Sequence, residues 1–123
     1  MNRTALSALA VLALTVPSFA APLSSAAKPS FDGNWSVLIV TERGTCDRAY
    51  RYPVRISNGA VGYAGQASFN VGGRVGANGA VIVTVSRGNQ SATGTGSLSG
   101  TDGSGTWRAA SGECSGTWTA ERR

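Results

Sequence analysis

The chain has 123 residues, with 11 lysine and arginine residues against six acidic ones, and it contains no histidine. The missing histidine excludes Ser-His-Asp and Cys-His nucleophilic centres and histidine-based metal sites. The net charge of +5 is modest: it predicts a surface that attracts anions, with solubility alone as the alternative explanation.

The first segment has the three parts of a secretory signal peptide. One basic residue is followed by an uncharged apolar run over 5–16, and Ser18 and Ala20 stand at the −3 and −1 positions of a cleavage site. The alternative, a membrane anchor, needs about 20 apolar residues, and Pro17 interrupts this run. We therefore predict a signal peptide over 1–20, cleaved near Ala20, and a periplasmic or secreted mature protein.

The rest of the chain has the length of one domain. Residues 21–30 are mostly small and include two prolines, which predicts a flexible leader. A single β domain is expected over 31–123, and nothing after the signal peptide has the pattern of a helix. Because no cysteine stands directly after the cleavage site, a lipid anchor is not indicated.

Alternation of apolar and polar residues predicts about eight short strands in this domain. Asn58-Gly59 and Asn78-Gly79 each separate two alternating runs, as expected of type I′ hairpin turns. Gly72-Gly73 inside the fourth run predicts a bulge or a sharp bend. The predicted strands cover 35–42, 50–57, 60–65, 67–76, 80–87, 93–98, 104–110 and 114–121.

Glycine and tryptophan recur together along the chain. The hexapeptide 104–109, Ser-Gly-Thr-Trp-Arg-Ala, is echoed at 115–120 as Ser-Gly-Thr-Trp-Thr-Ala. The run 93–98 has one nearly bare face, which would make room for bulky side chains from other strands. Four aromatic residues are candidates for packing in the interior or for forming a ligand wall: Trp35, Trp107, Trp118 and Tyr63.

Two cysteines, Cys46 and Cys114, are present, and in an oxidising compartment they would form a disulfide. The alternatives are two free thiols or an intermolecular bridge. Cys46 follows the first predicted strand and Cys114 begins the last, so a bridge would join the two ends of the sheet. This favours an all-β, antiparallel up-and-down barrel over a β-sandwich, because closure removes exposed strand edges. Eight strands enclose space for side chains or for one small ligand.

The outward face of the second strand is basic. Arg51 and Arg55 alternate with its apolar residues, and Arg43 and Arg48 lie nearby in the sequence. Arginine binds carboxylate and phosphate through a bidentate fork, so we predict an anion-binding face for an anionic glycan, a lipid head group or an acidic protein. Nucleic acid is not an expected partner. We expect a monomer without a cofactor, metal or catalytic activity.

Three segments, 31–37, 46–54 and 112–118, resemble small exported proteins of rhizobia and related alphaproteobacteria, a group without an established activity. The start Gly33-Asn34-Trp35, with Cys46 eleven residues after the tryptophan, is similar to the periplasmic metalloprotease inhibitors. That resemblance implies an eight-stranded barrel with one disulfide and an N-terminal arm that enters the protease cleft.

The sequence therefore leaves three candidate functions. The first is a non-catalytic binding module that uses the basic face, and the second is a protease inhibitor that acts through residues 21–30. The third is a carrier of small hydrophobic ligands. A filled barrel would favour the surface binder, and a hollow barrel would favour the carrier.

Overall fold

A computed structural model describes residues 30–123. The predicted signal peptide and nearly all of the predicted leader lie outside these residues. The described chain is all β and contains eight strands in one sheet, which is closed into a barrel. The strands are β1 Gly33–Arg43, β2 Ala49–Ser57, β3 Ala60–Tyr63, β4 Asn70–Val75, β5 Ala80–Arg87, β6 Gln90–Ser99, β7 Asp102–Ala109 and β8 Ser115–Arg122.

Every strand pairs antiparallel with the next one, and β1 also pairs antiparallel with β8. The predicted up-and-down barrel is therefore confirmed, and the alternative of a two-sheet sandwich is wrong. The pairing is thinnest between β3 and β4, where Ala60 opposite Arg74 is the one register pair. Within the described residues, no helix is long and apolar enough to cross a membrane.

The two predicted hairpin turns have different outcomes. Asn58 and Gly59 both have positive φ, at 52° and 79°, and they form the predicted two-residue turn between β2 and β3. The second hairpin also forms, since β4 pairs antiparallel with β5, but its predicted turn is wrong, because a four-residue loop over 76–79 joins the two strands. In that loop only Gly79 has positive φ, and the Asn78 side chain instead accepts a hydrogen bond from Ala80 N at 3.0 Å.

The predicted bulge at Gly72-Gly73 is also wrong. The register of β4 against β5 runs without a break, and the bulge lies in β1 between Thr41 and Arg43, opposite β8. Gly73 serves close packing instead, since a Cβ at this position would lie 2.7 Å from Val83 Cα. The third and fourth strands are shorter than predicted, and they leave residues 64–69 as a loop.

The disulfide between Cys46 and Cys114 is confirmed, with an S–S distance of 2.01 Å. It joins the loop after β1 to the residue that precedes β8. Cys114 is only 1% exposed, and its Sγ accepts a hydrogen bond from Cys46 N at 3.2 Å. The bridge therefore fastens the seam at which the first and last strands meet.

The other end of the barrel is closed by the residues that lead into β1. Phe31 packs against the core and reaches the loop between β4 and β5, 3.5 Å from the position of a Cβ on Gly79. The Asp32 carboxylate accepts hydrogen bonds from the backbone of the Asn58-Gly59 turn. Arg122 donates to the Asp32 carbonyl and lies 4.8 Å above the Trp35 ring. These contacts fix the chain across the end of the barrel opposite the disulfide, which we call the lower end.

Candidate functional site

The interior of the barrel contains a cavity of about 200 Å³. Interiors of natural proteins have few voids larger than a water molecule, so this barrel is hollow and not filled by its own side chains. Its walls are almost wholly apolar, and each of the eight strands contributes at least one residue to them. The lining residues are Trp35, Val37, Ile39, Tyr50, Tyr52, Val54, Ile56, Val61, Phe69, Val75, Val81, Val83, Val85, Ala92, Thr93, Gly94, Leu98, Trp107, Trp118 and Ala120.

The cavity is closed at the lower end and opens at the upper end, where the disulfide lies. Lining residues near the lower end are almost inaccessible, with Trp35 at 1%, Ile56 at 3% and Leu98 at 6% exposure. Towards the upper end the lining residues are only half-buried, and Tyr50 is 38% exposed. A small molecule would therefore reach the interior through the upper end, which we call the mouth.

Two tryptophans reach sideways across glycines on neighbouring strands. Trp118 of β8 crosses β7 and donates from Nε1 to the Thr95 carbonyl of β6 at 3.1 Å. A Cβ on Gly105 would lie 2.7 Å from its ring. Trp107 of β7 lies across Gly116 and donates to a β1 carbonyl at 3.0 Å. The rings lie along the wall, which keeps the centre of the barrel open.

The repeated Gly-Thr-Trp sequence explains this arrangement. In the antiparallel pairing of β7 with β8, Gly105 stands opposite Trp118 and Trp107 stands opposite Gly116. The tryptophan of each copy therefore lies over the glycine of the other copy. The prediction that the bare face of the run 93–98 makes room for bulky side chains is confirmed, since a Cβ on Gly96 would lie 2.7 Å from the Trp118 ring.

Four aromatic rings form a cluster near the mouth, which we call the aromatic cluster: Tyr50, Tyr52, Tyr63 and Phe69. Phe69 is its centre, with ring centroids 5.4 to 6.2 Å from those of the three tyrosines. The Arg87 guanidinium lies 5.2 Å from the Phe69 ring, a distance at which a cation is attracted to the ring face. The cluster positions the loop 64–69 beside the mouth.

Tyr52 is the most enclosed member of the cluster, with 8% exposure. Burial, and to a smaller extent the neighbouring Tyr50, raises the pKa of Tyr52 to about 12. The phenol is therefore neutral at physiological pH and keeps its proton for donation.

We expect this pKa shift to make the fold less stable in alkali. The folded state holds the Tyr52 proton more tightly than the unfolded state, whose tyrosine has its ordinary pKa, so loss of the proton favours unfolding. The contribution of the protonated Tyr52 to the free energy of unfolding is intact below pH 10 and is lost as the pH rises toward 12. At pH 11 the loss is about 1.4 kcal/mol. Urea unfolding near pH 9 and pH 11 would measure it. Tyr52→Phe should remove this part of the pH dependence, and an equal fall in both proteins would contradict the assignment to Tyr52.

The residues predicted as an interior or ligand wall do not all lie in one place. Trp35, Trp107 and Trp118 line the cavity, with Trp35 at the closed end and Trp107 toward the mouth. Tyr63 does not line it, and its ring packs against Tyr52 and Phe69. Three of the four predicted residues therefore surround the same space.

The predicted anion-binding arginines lie outside the barrel wall. Arg51 donates to Ser36 Oγ at 2.9 Å and Arg55 donates to Asn34 Oδ1 at 3.0 Å, both across to β1. Arg43 and Arg48 are exposed beside the loop that carries the disulfide. None of the four has a carboxylate within salt-bridge distance among residues 30–123. Binding of an anion by this face stays a prediction.

The sequence did not indicate that Tyr52 and Phe69 are parts of a site. The alternation over 50–57 did place Tyr52 on the inward, apolar face, which was the available signal. Phe69 was assigned to a strand, and its position at the mouth depends on how the loop 64–69 folds. The residues 21–29 of the proposed inhibitory arm lie outside the described part of the chain.

No protein-family model matches the chain, and neither a curated protein nor a solved structure shows significant similarity to it. Its function must therefore be inferred from the chemistry of the barrel.

Proposed function

We propose that this protein is an exported carrier of small apolar molecules, which it holds inside the barrel. The observation that supports the proposal is the apolar cavity of about 200 Å³ with one open end. Pockets for small ligands are typically concave, largely preformed and mostly lined by hydrophobic and aromatic side chains. The interior of this barrel has all three properties.

The free energy of an empty apolar cavity supports the same function. Side chains that line an apolar cavity have no partner atoms on one side and lack the dispersion contacts that packing would give them. A ligand that fills the space restores these contacts. Since a cavity of about 150 Å³ holds benzene, the ligand expected here is one ring with a short side chain or an aliphatic molecule of similar size.

The disulfide is consistent with maturation outside the cytoplasm, because such bonds persist in oxidising compartments. Together with the predicted signal peptide over 1–20, it supports a periplasmic or secreted carrier. Such a protein would take up its ligand and release it on the outer side of the inner membrane.

Ethylbenzene is a suitable probe for this function. We expect it to change the tryptophan fluorescence, since all three tryptophans line the cavity. It should also raise the Tm, because a ligand that binds only the folded state stabilises it, by about 2.7 kcal/mol at one hundred times its Kd. Unchanged fluorescence and Tm across a panel of small hydrocarbons would contradict the carrier function.

A matched pair of variants on β5 separates the cavity from the outer surface. Val83 lines the cavity and stands between Gly73 and Gly94 in the register, so Val83→Phe should fill the space and weaken ethylbenzene binding at least about tenfold. Ile82 is 55% exposed on the outer side, and Ile82→Phe should leave binding unchanged. Equal binding by the two variants would place the probe elsewhere on the protein.

A further inference from the structure

The hydroxyl of the buried residue Tyr52 has no hydrogen-bond partner among the residues that the structure describes. Tyr52 lines the cavity and is 8% exposed, and its hydroxyl makes no hydrogen bond within residues 30–123. The large majority of buried side-chain polar atoms in proteins do have a partner. A hydroxyl that lacks one therefore requires an explanation.

The other polar groups of the interior show how thoroughly the barrel satisfies its donors. Each of the three tryptophans donates its ring N–H to a backbone carbonyl, at 2.8 to 3.1 Å. The buried Thr41 hydroxyl donates to the Asp47 carbonyl at 2.5 Å. Tyr52 thus differs from the three tryptophans and from Thr41, whose side-chain donors are all paired.

Water alone does not account well for this hydroxyl. A water held in the cavity typically needs two to four polar partners, and the side chains of the lining offer only three hydroxyls, those of Tyr50, Tyr52 and Thr93. A ligand that is itself apolar would remain in such a space, and one oxygen on it would meet the Tyr52 hydroxyl, which belongs to the most buried of these three residues. The cavity therefore favours an apolar ligand, and the hydroxyl favours one accepting oxygen on it.

We propose that the ligand is a small apolar molecule with one hydrogen-bond-accepting oxygen, such as a carbonyl or ether, and that the Tyr52 hydroxyl donates to this oxygen. This inference rests on the proposed carrier function and specifies its ligand class. A site that hydrogen-bonds its ligand discriminates against an analogue without the polar group, because the donor is then left unpaired. Tyr52 is accordingly a specificity-determining residue.

Ethylbenzene and acetophenone are suitable test probes, because they have the same carbon skeleton and differ by one carbonyl oxygen. The two probes differ in their free energy of transfer from water. This difference cancels when the ratio of the two Kd values is compared between the wild-type protein and Tyr52→Phe. We expect this variant to weaken acetophenone binding about tenfold, the value of one hydrogen bond, and to leave ethylbenzene binding equal or slightly tighter. Tyr52→Phe should fold normally, because the hydroxyl makes no hydrogen bond to the described part of the chain that the substitution would remove.

Tyr63→Phe is the matched control, since it removes a hydroxyl from the same aromatic cluster at a residue that does not line the cavity. It should leave the ratio of Kd values unchanged. An equal effect of Tyr52→Phe on both probes, or no effect on either, would overturn the assigned hydrogen bond while the carrier function stands. Failure of the wild-type protein to bind either probe would overturn the carrier function, and this inference with it.

Discussion

Reduction of the Cys46–Cys114 disulfide is expected to lower the free energy of unfolding by about 4 kcal/mol. The two cysteines are 68 residues apart in the sequence, and in the chain-entropy model a crosslink over this length restricts the unfolded state by that amount. The free energy of unfolding of a typical domain is about 5–15 kcal/mol. Loss of the bridge would therefore leave the reduced protein only marginally stable. Urea unfolding with and without a reductant, followed by tryptophan fluorescence, would measure the difference.

The double variant Cys46→Ala, Cys114→Ala provides the control for this experiment. It should unfold at nearly the same urea concentration as the reduced wild-type protein, and addition of reductant should not change it further. Identical unfolding of the oxidised and reduced wild-type proteins would show that the hydrogen bonds between β1 and β8 hold the seam without the bridge.

The architecture of the barrel could be predicted because the relevant signals are local or follow from chain connectivity. Alternation assigns each side chain to one face of a strand, and it placed Trp35 and Tyr52 correctly on the inner face. The position of the two cysteines at opposite ends of the sheet then favoured closure. Strand ends were predicted less well, because they depend on contacts between distant residues.

The loop 64–69 illustrates why these ends were missed. Phe69 has the apolar character of an inward strand residue, but it enters the interior from a loop and packs there against three tyrosines. Gly65 lies directly against Tyr63, whose ring would overlap a Cβ at that position. The path of the loop is thus set by the aromatic cluster, whose members come from β2, β3 and the loop itself.

The cavity could not be predicted from the sequence because it depends on the directions in which large side chains lie. Three tryptophans inside a barrel of eight strands could have filled it. Trp107 and Trp118 instead lie along the wall, and their ring nitrogens are held by backbone carbonyls two strands away. Composition gives the total side-chain volume, but the hollow centre results from this placement over glycines.

The substitution Gly105→Ala tests that placement, and we expect it to destabilise the fold by about 3 kcal/mol, at the upper end of the usual effect of overpacking. The added Cβ would lie 2.7 Å from two atoms of the Trp118 ring and would also overlap the Thr95 carbonyl oxygen. That oxygen accepts the Trp118 hydrogen bond. Any shift that relieves the overlap therefore moves the ring and also weakens this hydrogen bond. Displacement of the ring towards the centre should also weaken ethylbenzene binding. Urea unfolding and the fluorescence titration would measure the two effects.

Gly72→Ala is the matched control because Gly72 also lies within a strand, where a Cβ would have no atom within 4 Å. Its stability should stay within about 0.5 kcal/mol of the wild-type protein, and its ligand binding should not change. Equal stability of the two variants would mean that Trp118 can move without loss, and the glycines beneath it would then not be what keeps the barrel hollow. Loss of stability in Gly105→Ala with full retention of binding would separate the two roles, and it would show that the cavity tolerates a displaced ring.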